Sequence, residues 1–463
     1  MPKDVEVIMP LPTQRRIGPI LLAPGVSPKQ VLVFLFVTSI CVFVNEFASV
    51  MQPLIFALQL HIAPGQQGVL AGMLGATQQT GMLIFIIAAG ALADIFGRKV
   101  MLLYVLIGFF LCLVAYPLIP AVWALFIVRF VWGLSFTGFS AGAATISMDI
   151  PDNCARGKLN GLVLVSNLLV ASLLVLPAAR LPALFRGLGL DAHAALAYTF
   201  GFVALIASVG LLTVIFFFHE QRKKPQSAAP ELLLSKSKAI FTNVRAVLAH
   251  ACQDKRFAVI LMIGSVVRTD AVIVSAFLGL WIVNAGSLGG IDAIEATKMA
   301  GLVASIRFVA KVTGALLFGV IADKVNRMWL MLVALTMTTL AFGGFGLVSN
   351  AFGMGMIAMA VLIGLAESAE GVTVQSLIAQ EAPEHLRGSS MGVFTFLGTI
   401  SLLVVNLAGG YLFDRIGFSS PMLMEGALHL MVLITAIVIL RMGTDGVAGA
   451  PPSANILVAK TGR

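Results

Sequence analysis

The sequence predicts an all-α membrane protein, with twelve transmembrane helices in two parallel-repeat six-helix bundles. Three observations predict it. The 463 residues are 59% hydrophobic and only 11% charged, with a mean hydropathy of +1.00, whereas an average soluble domain carries about 25% charged residues. The apolar residues gather into segments mostly long enough to cross about 30 Å of hydrocarbon at about 1.5 Å per residue. Two charged hairpins recur half a chain apart, the mark of a unit duplicated in one orientation. With no water at mid-bilayer each backbone group must be satisfied inside its own segment, so the segments are helices.

Residues 1–28 form a polar, Pro-punctuated tail with no signal-peptide cleavage pattern ahead of the first span. Apolar segments then fall at about 31–52, 67–93, 100–119, 121–148, 160–180 and 195–218, and again at about 257–284, 298–322, 329–349, 353–378, 388–410 and 421–441. The chain therefore divides into a tail (1–28), an N-terminal six-helix bundle (29–218), a linker (219–256), a C-terminal six-helix bundle (257–441) and a second tail (442–463). The linker opens on Arg222-Lys-Lys-Pro225. In it Ile240, Val244, Val247, Leu248 and Ala251 recur at helical spacing, which fits a short helix on the inner leaflet or a solvated linker with local helix.

Cations set the orientation. With the N-terminus cytoplasmic, twenty-two Lys and Arg fall in cytoplasmic segments, and four (Arg180, Arg186, Lys298, Arg415) fall on the opposite side. The bias places both termini in the cytoplasm of a multi-pass protein in the cell (inner) membrane. It also accounts for the net +9 charge without a nucleic-acid partner. Cys41, Cys112, Cys154 and Cys252 show neither metal-ligand spacing nor an extracytoplasmic pair, so no disulfide and no structural metal is expected.

The hairpin Gly90-Ala-Leu-Ala-Asp94-Ile-Phe-Gly97-Arg98-Lys99 joins spans two and three, and Gly90, Ala93, Asp94 and Arg98 recur 229 positions on as Gly319, Ala322, Asp323 and Arg327. Asp149-Ile-Pro151 with Arg156-Gly157 recurs as Glu381-Ala-Pro383 with Arg387-Gly388, shifted by about 231. Parallel halves of this kind occur in secondary transporters. The first hairpin matches the pattern G-x-x-x-D-x-x-G-R-[RK], and the chain resembles the major facilitator superfamily over nearly its full length. Arg129-Phe-Val-Trp-Gly133 and Gly410-Tyr-Leu-Phe-Asp414 resemble further, weaker motifs of that family. The fifth span, from Gly161, lacks the G-x-x-x-G-P-x-x-G-G pattern of its drug:proton antiporters. The resemblance implies gating by the hairpins, through Gly90, Asp94, Gly97, Arg98, Asp323 and Arg327. Asp94 lies near a helix C-terminus, where the field is negative, so it needs a cationic or helix-N-terminal partner. A contact made in one conformation only biases the equilibrium between conformations. A hairpin that only fixes topology is the plainer alternative.

Eight charges are placed within spans: Glu46, Arg129, Arg268, Asp270, Arg307, Lys311, Glu367 and Glu370. Each costs about 2.5–3.5 kcal/mol or more at a lipid-facing helix centre, so they line a wet passage or pair with one another. Arg307 and Lys311, four apart, share a helix face, as do Glu367 and Glu370, three apart. Arg268 and Asp270, two apart, do not, and each needs a partner from elsewhere. The repeat maps Arg307 onto Gln78. Arg268, Arg307 and Lys311, with Gln78 and Gln79, are the candidate substrate-binding residues, because a guanidinium grips carboxylate or phosphate bidentately. Internal pairing with Asp270, Glu367 and Glu370 is the open alternative.

No G-x-x-x-x-G-K-[ST] loop is present, so coupling falls to a proton or sodium gradient. Burial disfavours the charged form of a carboxyl group, which makes Glu46, Asp270, Glu367 and Glu370, with Arg129, the candidate proton-coupling residues. Thr77, Thr80, Asn167 and Asn406 read as interhelical contacts, and Gly133, Gly314 and Gly364 as sites of close helix approach. His429 reads as structural. His219-Glu220 lacks a second histidine four residues on, so no enzyme is expected, and no cofactor. The expectation is a monomeric, proton-coupled secondary transporter of a small organic anion or other polar metabolite, working by rocking-bundle alternating access. Multidrug or amphipathic-compound efflux by proton antiport is the alternative. A metal-ion transporter and a non-transporting sensor are more distant ones.

Overall fold

The computed structural model of the protein describes residues 15–24, 26–152, 155–218, 244–322, 324–381 and 387–445. Twelve helices are long and apolar enough to cross a membrane, one for each expected segment. They are α1 (Pro28–Leu58), α2 (Gly68–Phe96), α3 (Arg98–Ala115), α4 (Val122–Asp149), α5 (Arg156–Gly187), α6 (Ala192–Phe217), α7 (Lys255–Leu288), α8 (Ala293–Ala322), α9 (Arg327–Gly344), α10 (Met354–Glu381), α11 (Arg387–Arg415) and α12 (Ser420–Asp445). Helix α1 runs through Pro53, and α5 through Pro177 and Pro182. The expected first span stops before Pro53. In a membrane the alternative to continuing the helix is unsatisfied backbone in hydrocarbon, so the lost bond at proline is tolerated.

Local chemistry fixes the helix ends. Ser27 caps α1 in a reciprocal box with Gln30, with Pro28 at the first position. Gly97 has φ +91° and ψ 163° between α2 and α3, a region essentially reserved for glycine. Gly97→Ala is expected to lower stability by about 1–3 kcal/mol, read as a fall in the thermal midpoint of the purified protein.

Part of the expected tail is folded. Strands β1 (Arg16–Ile17) and β2 (Ile20–Leu21) make a hairpin, and Leu22 bridges to Pro151 in the α4–α5 loop. Ala23 N–H donates to Ile150 O at 2.9 Å, and Asp152 N–H to Leu21 O at 3.0 Å. Ile20 and Leu22 are buried there. The expected linker helix is present over 244–253. Val247 is buried against Phe257, Ile260 and Leu377, with Val244 and Ala251 beside it, so its apolar stripe packs on the second bundle rather than on lipid. Leu248 is exposed, and Ile240 lies outside the described residues.

Glycine contacts bear out the repeat. A Cβ on Gly133 of α4 would strike the backbone of Gln78 in α2, and one on Gly364 of α10 would strike the backbone of Arg307 in α8. Shifting Gln78 by 229 gives Arg307, and shifting Gly133 by 231 gives Gly364, so Gln78 and Arg307 hold equivalent places. The crossings between halves obey the same rule. Gly72 of α2 meets Gly410 of α11, and Gly301 of α8 meets Ala179 of α5. At Gly314 an added Cβ would lie 2.8 Å from Ser368 Cβ.

The halves are joined at the end away from the termini. Asp414 of α11 accepts from Gly68 N–H and Val69 N–H at 2.8 Å each, capping α2 across the interface. Gln67 and Gly65 bond Asn284 of α7 at 3.0 Å each, and Arg186 pairs with Asp292 at 2.6 Å. One apolar core runs through both halves there, from Phe56 and Ala179 to Val283 and Ile294. On the terminal side the second half has a separate core around Phe257, Met331, Val393 and Val432.

Candidate functional site

Five helical positions from both halves converge at the centre. Glu367 of α10 takes Arg307 Nε at 3.1 Å and Lys311 Nζ at 2.9 Å on the same oxygen, Oε2. The shared face of Arg307 and Lys311 makes this possible, since both project from α8 toward α10. Close approach helps, because Gly364 lets α10 lie against the backbone of Arg307. From α7, Ser275 accepts from Arg307 Nη1 at 3.4 Å and donates to Glu46 Oε2 of α1 at 3.0 Å. The chain Glu46–Ser275–Arg307–Glu367–Lys311 thus crosses from one half to the other.

Ser275 sits in a π-helical turn, Val274–Leu278, inside α7. Such turns insert one residue and re-aim side chains, and they recur at functional sites. Nothing in the sequence pattern marks it.

The network is buried but incomplete. Arg307 and Glu367 have side chains 3% exposed, while Lys311 is 17% exposed. Glu367 Oε1 has no hydrogen-bond partner among the described residues. Two cations therefore converge on one carboxylate that keeps an acceptor oxygen free.

The equivalent layer of the first half carries a lone arginine. Arg129 of α4 donates to Gln78 Oε1 at 2.9 Å and to Gln52 Oε1, and lies over the Tyr116 ring at 5.7 Å. Its partners are neutral. Arg268 lies over the Phe394 ring at 5.4 Å, and its Nε has no hydrogen-bond partner among the described residues. It does not pair with Asp270.

Asp270 and Glu370 turn instead to His429 of α12, whose Nε2 lies 3.2 Å and 3.5 Å from them. This second cluster also holds Glu425, which accepts from Thr269. Glu425 lies inside span twelve and adds a ninth charge within the spans. Its position four residues before His429, on one helix face, is the signal that could have found both.

The remaining expected positions scatter. Gln79 is buried, and its Oε1 has no hydrogen-bond partner among the described residues. Thr77 and Thr80 bond back to their own helix at 2.8 and 2.9 Å. Asn167 holds Ser39 of α1 at 3.1 Å, and Asn406 stands at the α2–α11 crossing beside Gly75. Arg98 pairs with Asp149 at the end of α4, inside the first half. The side chains at Gly90 and Asp94 lie outside those described, as does Asp323. Arg327 opens α9.

A family model described as Major Facilitator Superfamily matches residues 34–294 and 290–456. The magnetosome protein MamZ of Paramagnetospirillum magneticum is 24% identical over 53% of this chain and 38% of its own length. MamH of the same organism is 26% identical over 39% of this chain and 44% of its own. The chain thus spans less than half the length of those relatives. The putative metabolite transport protein YncC of Bacillus subtilis is 24% identical over 81% of this chain and 83% of its own. The crystal structure of the nucleoside transporter NupG superposes with a TM-score of 0.68, covering 89% of this chain and 99% of that one at 12% identity. That of a D-xylose-proton symporter gives 0.64, over 88% and 96% at 15% identity. Twelve spans, a duplicated six-helix unit and a family match over both halves lead to one conclusion: the chain belongs to the Major Facilitator Superfamily and is a multi-pass membrane protein.

Proposed function

We propose that the protein is a proton-coupled secondary transporter of a small organic anion or similarly polar metabolite. The single observation that carries this reading is the pair Arg307 and Lys311 sharing one oxygen of Glu367 at mid-span, within reach of Glu46 from the opposite half through Ser275. With both carboxylates ionised, the four charged groups cancel. A proton on Glu46 or Glu367 leaves a net positive charge and frees donors of Arg307 and Lys311 for an anionic group. Solute and proton then bind together and leave together, which is the requirement for coupling. Asp270 and Glu370 stand apart from this exchange, in the His429 cluster.

The joined end supports a conformation closed away from the termini. The positive-inside bias makes that closed side extracytoplasmic, in the cell membrane, and the Gly90–Lys99 hairpin and its copy at Gly319–Arg327 form the opposing gate. Similarity to YncC, a putative metabolite transport protein, supports a metabolite as the class of cargo. Similarity in fold to a D-xylose-proton symporter supports a proton as the coupling ion. The efflux alternative gains nothing from a centre made of ionised, hydrogen-bonding groups.

Glu46→Gln is the test. Ser275 is the hydrogen-bond partner of Glu46, and an amide can keep that bond, so the fold is expected to stand. In proteoliposomes the variant should still exchange labelled for unlabelled solute but fail to accumulate it against a gradient when a pH difference is imposed. Wild-type accumulation by Glu46→Gln would remove this carboxylate from the coupling path.

A further inference from the structure

The second cluster lies wholly within the C-terminal half and outside the Glu46–Glu367 network. Asp270 of α7, Glu370 of α10 and His429 of α12 each bring one ligand atom within 4.8 Å of the other two. All three are at most 1% exposed. The 3.2 and 3.5 Å separations from His429 Nε2 to the two carboxylates match the edges, about 3.0–3.5 Å, that bonds of about 2.0–2.2 Å produce around one ion.

The far side of the imidazole decides its tautomer. Nδ1 lies 3.0 Å from the Glu425 carbonyl oxygen, which can only accept, so Nδ1 carries the proton. When the ring is neutral, Nε2 then points a lone pair at the two carboxylates. A backbone carbonyl on one nitrogen with the other left for an ion is the arrangement that orients metal-binding histidines. Apart from His429 Nε2 and the adjoining Glu425, no side chain among the described residues reaches the oxygens of Asp270 or Glu370. Four buried carboxylate oxygens and an imidazole nitrogen facing one another repel unless protons or a cation sit between them.

We propose that Asp270, Glu370 and His429 bind a divalent first-row transition-metal ion. The nitrogen donor selects ions such as Zn2+ or Mn2+ over Mg2+ and Ca2+, which prefer oxygen-only sets. Glu425, held by Thr269, adjoins the site as a further oxygen donor. The three ligands come from three helices of one bundle, so a bound ion fastens that half internally. The proposal does not depend on the solute read for the central network.

The test uses the full chain with a tag free of histidine, purified in detergent and stripped with EDTA. Equilibrium dialysis against Zn2+, Mn2+ and Mg2+ is expected to show one tightly bound Zn2+ or Mn2+ and none of Mg2+, with a rise in the thermal midpoint on binding. Glu370→Gln and His429→Gln should each weaken that binding by about tenfold or more. The pair His61 and His193, whose rings are 6.2 Å apart near the outer surface, offers a rival site, and replacing both by alanine should leave the bound ion in place. Absence of bound Zn2+ and Mn2+ in the wild type overturns the proposal and makes His429 a protonated partner of the two acids. So does binding that survives Glu370→Gln in a monodisperse sample, or that disappears with His61 and His193. Glu370→Gln is nearly isosteric, so the proposal remains testable even where the His429 variant fails to fold.

Discussion

Glu367→Leu is expected to cost about 3–5 kcal/mol, the range for breaking a buried ion pair by removing one partner, and to abolish transport. Its carboxylate neutralises two cations, and with leucine in its place both would face each other across a buried centre. Arg307→Met in the same chain should recover part of the lost stability, because Lys311 is more exposed and its long stem can carry the ammonium toward water. Transport should stay absent in the double variant. Thermal denaturation in detergent, followed by fluorescence size exclusion, reads the stabilities. An unchanged midpoint for Glu367→Leu would mean that the network stands open to water and does not hold the helices.

Gly410→Ala is expected to reduce transport by at least about tenfold while leaving the protein monodisperse, since it acts on one conformation. A methyl group there would strike the Gly68 carbonyl and lie 3.1 Å from Gly72 Cα. Those atoms are backbone and cannot turn aside, so α2 and α11 must part where they now touch. The outer end would then rest open. A cysteine placed near Asp414 and labelled with a membrane-impermeant maleimide should react faster in the Gly410→Ala background. The comparison variant is Gly201→Ala, where an added Cβ meets nothing within 4 Å. Equal labelling and transport in the two variants would show that this crossing does not close the outer end.

The architecture is legible in the sequence because lipid leaves few choices. Apolar length alone locates the spans, and the offset of about 230 residues makes Gln78 and Arg307 counterparts in the two halves. The shared face of Arg307 and Lys311 is equally legible from their spacing. Their partner is not. Glu367 and Glu370 lie three apart on one helix, and one turn of α10 decides that Glu367 meets α8 while Glu370 meets α12. That choice depends on how helices far apart in sequence rotate against one another, which local periodicity does not report. Glu425 and His429 stay hidden for a related reason. A single histidine in an apolar span carries no meaning until its neighbours from α7 and α10 are known. The β1–β2 hairpin leaves little trace because its apolar residues, Ile17, Ile20 and Leu21, are few and sit in a stretch otherwise punctuated by Gly and Pro.

The extra residue in the Val274–Leu278 turn has a mechanical consequence. If that turn tightened to ordinary α-helical spacing, everything beyond it in α7 would swivel by about 100°, the advance of one residue in a helix of 3.6 per turn. Ser275 would leave Glu46, and nine residues along Asn284 would swing away from Gln67 and Gly65. One local change of winding would then release a mid-membrane clasp and the outer latch in the same movement.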